Sequence, residues 1–306
     1  MKIPFLAPVV PSHVFCLLAE GVTWANVRRD PPGFVDSRHF AYPPNTLGAG
    51  ASGTPLFSRE AVADVVEAAR KLSGGRLSRA SVVFPDSWAR ILPIDFDTLP
   101  ESEDAVRDMV LWKLKKLLPG ISEELSVDFE EMQRSGDGEI RLLVAAAPTE
   151  TLRSIEQAFE SVGVRVGTLA PASLVLFEGL SSILGPLAGG DYGLLHRSPG
   201  SLIFVIARNG NPVFFRQRPG EEGEEGQDQE VRLSLSYYLE KLHGAGLSAV
   251  YVHDALPGHE LGGASALPVK PIPISGKLFS ADQAFDERVA ARPELLPAFA
   301  AVYEKR

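Results

Sequence analysis

Short apolar runs separated by turn residues open the chain. Val14-Phe-Cys-Leu-Leu-Ala19 is rich in strand formers, Glu20-Gly21 supplies a turn, and Val22-Thr-Trp-Ala-Asn-Val27 reads as the returning strand of a hairpin. Asp30-Pro-Pro-Gly33 turns the chain into a third strand, Phe34 to Phe40, and a Pro/Gly/Ser/Thr-rich loop runs from Pro43 to Pro55. Ser58 then caps a helix whose apolar positions Val62, Val65, Val66, Ala69 and Leu72 recur at helical spacing until Gly74-Gly75 stops it. Ser81-Val-Val-Phe84 is the next strand. The order is strand, strand, strand, helix, strand.

The second half repeats that order. Tyr192 to His196, Ser201 to Ile206 and Pro212 to Arg216 are three strands, the last two joined by Asn209-Gly-Asn211. A helix from about Gln229 to His243 carries Val231, Leu235, Tyr238, Leu239 and Leu242, and Ala249-Val-Tyr-Val252 follows it. The halves share element order and not sequence, which predicts two related lobes facing each other across a cleft. Between them, Ile91 to Phe96 is a strand and Ser102 caps a helix with Val106, Met109, Val110, Leu114, Leu117 and Leu118 on one face, ending at Pro119-Gly120. Val127 to Met132 and Ile140 to Ala147 pair as a hairpin across Ser135-Gly-Asp-Gly138. A helix from Thr149 through Leu152, Ile155 and Phe159 leads to the strand Val164 to Gly167. This block predicts a small inserted α+β subdomain.

Composition narrows the function without naming it. The 306 residues suit about two domains of about 100–200 residues each, and 45% hydrophobic residues suffice for a real core. Thirty Lys+Arg against thirty-nine Asp+Glu leave a net charge of −9, which argues against nucleic acid or an anionic lipid surface as partner. A single cysteine, Cys16, excludes an internal disulfide and any CxxC site, and fits a reducing compartment. No apolar run reaches the about 18 residues of a spanning helix. The N-terminal Lys2 to Pro11 imitates a signal peptide, but prolines at 4, 8 and 11 make it an extended arm.

Three segments resemble the PilM family of type IV pilus assembly proteins: Phe84-Pro-Asp-Ser-Trp-Ala-Arg90 with Leu92-Pro-Ile-Asp-Phe96, then Trp112-Lys-Leu-Lys-Lys-Leu-Leu-Pro119, then Leu143-Val-Ala-Ala-Ala-Pro148. Val127-Asp-Phe129, Ala158-Phe-Glu-Ser-Val-Gly163 and Glu230 to Tyr238 continue the pattern in order along nearly the whole chain. The resemblance implies an α/β, actin-like fold related to FtsA, with ribonuclease H-like duplicated lobes and an inserted α+β subdomain. The expected division is residues 1–92 for the first lobe, completed by about 162–190, then 93–161 for the insertion. Residues 191–306 would form a second lobe lacking most of its helical subdomain. The cytoplasmic part of the type II secretion L protein shares the fold but continues into a transmembrane helix.

An actin-like nucleotide site needs an Asp-x-Gly-x-x-x-Thr type turn in each lobe, for Mg²⁺ and phosphate. Leu17-Leu-Ala-Glu-Gly-Val-Thr23 has an apolar residue at the Asp position. Leu194-Leu-His-Arg-Ser-Pro-Gly-Ser201 keeps only Gly200 and Ser201, with Leu195 where the Asp belongs and Pro199 lacking its N–H. Val252 to Gly258 is a poor adenine loop, and Arg218 to Asp228, an acidic run read as a solvated loop, replaces the family's nucleotide-walling helices. ATP with magnesium is thus the less favoured alternative to no cofactor.

His253-Asp254 with His259-Glu260 is the one metal-like cluster, and a polar loop explains it better. His13, His39 and His196 lie on strands far from a serine nucleophile, and neither Gly-x-Ser-x-Gly nor HExxH occurs. A catalytic sugar-kinase relative lacks its carboxylates. Trp112 falls off the main apolar face beside Lys113, Lys115 and Lys116, where it either packs under the neighbouring hairpin or anchors a partner. On the second reading Leu111, Trp112 and Lys115 line a partner groove. In the family, the groove between first lobe and insertion takes the short cytoplasmic N-terminus of PilN, an inner-membrane protein. The expected function is therefore a non-catalytic cytoplasmic adaptor of a pilus or secretion platform, held at the inner membrane by a PilN-like partner.

Overall fold

The computed structural model of the chain describes residues 10–50, 53–75, 77–118, 124–132, 140–220, 224–254, 269–272 and 284–303. Strands β1 (His13–Leu17), β2 (Gly21–Arg29) and β3 (Pro32–Ala41) form a meander. A short ladder of β4 (Leu47–Ala49) and β5 (Pro55–Phe57), lying inside the expected loop, leads to α1 (Arg59–Leu72) and β6 (Arg79–Phe84). A 3-10 turn, Asp86–Trp88, passes to β7 (Arg90–Phe96), α2 (Glu103–Leu117), β8 (Leu125–Glu131) and β9 (Ile140–Pro148). Then come α3 (Thr149–Ser161), β10 (Arg165–Pro171) and α4 (Ala172–Ala188). The second half contains β11 (Tyr192–Ser198), β12 (Ser201–Arg208), β13 (Asn211–Arg218), α5 (Glu224–Lys241), β14 (Ala249–Asp254), β15 (Val269–Pro271), α6 (Ala284–Ala291) and α7 (Leu295–Ala300).

Two five-stranded sheets have one topology. The first runs β10-β6-β1-β2-β3 and the second β13-β12-β11-β14-β15. In each, a three-strand antiparallel meander is extended from its first strand by two parallel strands, β6 and β10 or β14 and β15. Helices α1 and α5 occupy equivalent crossovers, so the duplicated element order is also a duplicated topology. Strand β12 is apolar along its length because both faces are covered: Ile203 and Val205 join the central core, while Leu202, Phe204 and Ile206 pack with Val231 and Tyr238 of α5.

A separate three-stranded sheet, β7-β9-β8, carries α2 on one face. Val106, Val110 and Leu114 of that helix meet Ile94, Leu142 and Val144 in a core of their own. The Ser102 hydroxyl oxygen accepts from the Ala105 N–H at 3.4 Å, as its capping role requires. At α1, by contrast, Ser58 sits at the cap position but donates its hydroxyl to Thr46 O at 3.1 Å, and Leu72 is exposed.

The expected boundaries change at three places. Helix α3 does not belong to the insertion: Ile155, Ala158 and Phe159 are buried in the first lobe's core, with the Phe159 ring 4.9 Å from that of Phe15. Residues 284–303 leave the second lobe and return to the first, where Phe285 stacks on Phe34 at 5.1 Å and Phe299 packs tilted against it at 6.0 Å. Helix α5 begins at Glu224, so the end of the acidic run is helical, with Gln227 and Asp228 buried. Helix α4 lies between the sheets and buries apolar side chains on several sides, among them Val175, Leu176, Phe177 and Leu180. An added Cβ at Gly179 would stand 2.4 Å from Ala300 O, so only glycine lets α4 and α7 approach this closely.

No helix among the described residues is long and apolar enough to cross a membrane. The arm before Val10, the stop at Pro119-Gly120, the turn at Ser135 to Gly138 and the His259-Glu260 pair lie outside the described residues.

Candidate functional site

Both turns that would cradle phosphate are tight hairpin turns. Leu18 N–H donates to Gly21 O at 2.8 Å, which puts Ala19 and Glu20 at the tip, one residue earlier than the sequence suggests. In the second lobe Ser198 pairs with Ser201 across Pro199-Gly200, with Gly200 in the left-handed region at φ 74°. This tip abuts the first lobe: an added Cβ on Gly200 would lie 3.3 Å from Ser87 Cβ. Ser201 is buried, and its backbone N would be 2.5 Å from a Cβ on Gly220. The adjacent Arg197 guanidinium, also buried, is paired with Asp254.

Between these turns the lobes meet through a buried polar chain that sequence inspection does not reveal. Asp86, fully buried in the 3-10 turn after β6, accepts from Ser173 N–H at 3.1 Å and from the Ser173 hydroxyl at 2.5 Å. Its second oxygen lies 3.1 Å from His196 Nε2 on β11. The ring nitrogen there is poorly aligned with that oxygen, so the attraction is Coulombic more than a directed hydrogen bond. His196 Nδ1 is 2.7 Å from His253 Nδ1 on β14, and His253 Nε2 reaches Pro293 O at 3.0 Å. Burial, followed by the neighbouring charge of His196, lowers the His253 pKa to about 3 despite the Pro293 carbonyl.

The next residue, Glu294, accepts from the Thr23 hydroxyl at 2.7 Å, and Thr23 contacts His39 at 3.0 Å. The C-terminal segment thus touches both lobes. Gln217 of β13 adds a clamp: its carbonyl accepts from Ile91 N–H at 2.7 Å, and its amide donates to Asp86 O and Ala89 O at 2.9 and 3.0 Å. Burial and then Glu294 raise the Cys16 thiol well above its usual range, which keeps it protonated and unreactive. Ser173 donates to a carboxylate and not to an imidazole. His253 and Asp254, half of the suspected metal cluster, are held by His196 and Arg197. Among the described residues no three His, Cys, Asp or Glu side chains are placed to hold one metal ion together.

A second feature is a cavity of about 660 Å³ between the insertion and the first lobe. Alternation on β9 builds one wall: Leu142, Val144 and Ala146 turn toward α2, while Leu143, Ala145 and Ala147 turn toward the cavity. Leu169, Pro171 and Leu174 form the opposite wall, and Asp128, Glu130 and Glu178 stand among the lining residues. Strands β8 and β10, each the last strand of its sheet, border the cavity. Arg107 reaches in from α2, but its guanidinium is bound to Val127 O and to Glu103.

Leu111, Trp112 and Lys115 are not at this cavity. Trp112 is 57% exposed on the outer side of α2, with Lys116 Nζ 3.5 Å from its ring centroid. It does not pack under the hairpin. Lys115 is exposed, Leu111 is half-buried against the α2 core, and the three-stranded sheet separates all three from the cavity. The groove between lobe and insertion and the patch around Trp112 are therefore two surfaces, because α2 covers the sheet face that points away from the first lobe.

Two lobes of one topology, a central helix between them and an inserted α+β sheet define an actin-like fold. No family model and no curated protein matches the sequence. Among solved structures the chain is similar to a chain of the PilM-PilN type IV pilus biogenesis complex, with TM-score 0.71 and 17% identity over 96% of this chain and 98% of that one. The fold is accordingly the PilM-like form of the actin-like fold. Weaker likenesses, both at TM-score 0.49, are to a Bacteroides thetaiotaomicron protein with an actin-like ATPase fold and to the cytoplasmic domain of EpsL. The first is 9% identical over 92% of this chain and 100% of that one. The second, an inner-membrane component of the Vibrio cholerae type II secretion system, is 11% identical over 88% and 92%.

Proposed function

We propose that this chain is a non-catalytic adaptor of a type IV pilus or related secretion platform, gripping the cytoplasmic N-terminal segment of a PilN-like inner-membrane protein. The observation that carries the reading is the cavity bounded by β8 and β10. An extended segment fits there by adding a strand to either sheet edge, with apolar side chains against Leu143, Ala145, Leu169 and Leu174. The acidic Asp128, Glu130 and Glu178 match such a segment, because cytoplasmic residues next to a spanning helix are rich in Lys and Arg. Similarity in fold to a protein solved as a PilM-PilN complex supports the choice of partner. The chain would sit on the cytoplasmic face of the inner membrane, held there through that partner.

No nucleotide takes part in this reading. The residues between the lobes do not fit a magnesium triphosphate: the second turn abuts Ser87, Arg197 is paired with Asp254, and the segment around Pro293 and Glu294 bridges the two lobes. Gly200 and Ser201 remain as remnants in a closed turn. Calorimetry with ATP and Mg²⁺ is expected to show no binding, and micromolar affinity would overturn this half of the proposal.

The partner half is tested with a synthetic peptide of the PilN-like protein's cytoplasmic N-terminus. Ala145→Arg should weaken peptide binding by about 30-fold or more, the size of an interface hot spot. Trp112→Ala, on the far side of the sheet, should leave the affinity unchanged. The opposite pattern would move the partner to the Leu111, Trp112 and Lys115 patch.

A further inference from the structure

Titratable side chains from both lobes meet in the middle of the cleft, and their acceptors determine the proton count among them. Pro293 O can only accept, so His253 Nε2, 3.0 Å away, carries a hydrogen. A neutral His253 then has a bare lone pair on Nδ1, and His196 Nδ1, 2.7 Å away, must donate to it. One imidazole nitrogen is left, His196 Nε2, standing 3.1 Å from Asp86 Oδ2. Asp86 Oδ1 is already occupied by Ser173. A bare nitrogen beside a bare carboxylate oxygen, both out of water, is repulsive, and a fully buried carboxylate without a counter-charge is strongly disfavoured.

We propose that His196 is an imidazolium paired by charge with the Asp86 carboxylate, the one proton between them resting on His196 Nε2, and that this pair is a latch holding the two lobes shut and the groove wall in place. The link to the groove is direct in sequence. Asp86 lies between Phe84 and Ala89, and Ser173 lies between Pro171 and Leu174, and all four flanking residues line the cavity.

Besides Ser173 on α4, the charged or titratable groups around the pair are His253 and Asp254 on β14, with Arg197 on β11 paired to Asp254. From the C-terminal segment come Arg292 and Glu294, which flank Pro293; Glu294 also meets Thr23 and Cys16 of the first lobe, and Thr23 in turn contacts His39. The latch stays shut while the proton is held. It releases in alkali when the proton leaves, and in acid when a second proton reaches His253 and sets two cations face to face. None of this depends on what occupies the groove.

Imidazole ¹⁵N spectra of the full chain test the proton count. Near neutrality His196 is expected to be doubly protonated and His253 protonated on Nε2 alone. Asp86→Asn keeps an acceptor for Ser173 and offers His196 an N–H, so in that variant His196 should become neutral while the fold is retained. Hydrogen exchange tests the latch. His196→Leu should speed exchange at Thr168 to Leu174 and at Gly193 to Ser198 by about a hundredfold, as for a buried pair broken from one side, and leave α1 unchanged. Asp86→Asn should exchange like wild type near neutrality and, unlike wild type, show no opening in alkali once intrinsic rates are corrected. A neutral His196 in the wild type would overturn the proposal. So would His196→Leu exchange that is unchanged at the groove wall, or raised equally everywhere.

Discussion

Lowering the pH from about 7 to about 5 opposes folding through His253. An unfolded histidine titrates near about 6.5, whereas burial holds His253 in the folded chain to about 3. Above the unfolded value neither state binds the proton and stability is at its full level. Below it the unfolded chain takes up a proton that the folded chain refuses, so stability falls progressively down to the folded value. Integrating proton uptake between the two conditions gives a loss of about 2 kcal/mol, which requires only that the folded value lie well under about 5. His39, lowered by burial and by Arg292, adds a loss in the same direction. Urea unfolding of wild type and His253→Gln at both conditions isolates the His253 part, since glutamine retains a donor for Pro293 O and cannot titrate. The loss should be smaller in the variant by about 2 kcal/mol. An identical pH dependence in both proteins would refute the assignment of a neutral, buried His253.

Gln217→Ala removes three hydrogen bonds to backbone and leaves Ile91 N–H without its partner, so urea unfolding should show a loss of about 2–3 kcal/mol. Gly179→Ala drives a methyl group against Ala300 O and should cost about 1–3 kcal/mol, with faster exchange in α7 before the rest of the chain. Leu114→Ala empties a fully buried site beneath α2; it should lower stability by about 2–5 kcal/mol and loosen the three-stranded sheet more than either five-stranded sheet.

Elements with one side to bury are legible from pattern alone. Val62, Val65, Val66 and Ala69 mark α1, and Val106, Val110 and Leu114 mark α2, because each helix meets a sheet on one face and water on the other. Helix α4 escapes such reading: buried between two sheets, it shows no polar stripe to set the period. The PilM-like motifs and the departure of both turns from an Asp-x-Gly pattern were visible for the same local reason, since each is carried by a few consecutive positions. Trp112 shows where locality fails. Its place off the apolar face was readable, but whether a hairpin or solvent covered it depended on how α2 seats on the three-stranded sheet.

Sequence by itself therefore determined the elements with one apolar side, their duplicated order and the two tight turns' residues, all of which follow from neighbours along the chain. Tertiary structure alone decided that α3 and residues 284–303 join the first lobe, that α2 hides one sheet face and opens the other as a groove, and that Asp86, His196 and His253 meet. Those outcomes rest on contacts between residues tens to hundreds of positions apart, where burial of the remaining apolar faces selects the partner and no local period records the choice.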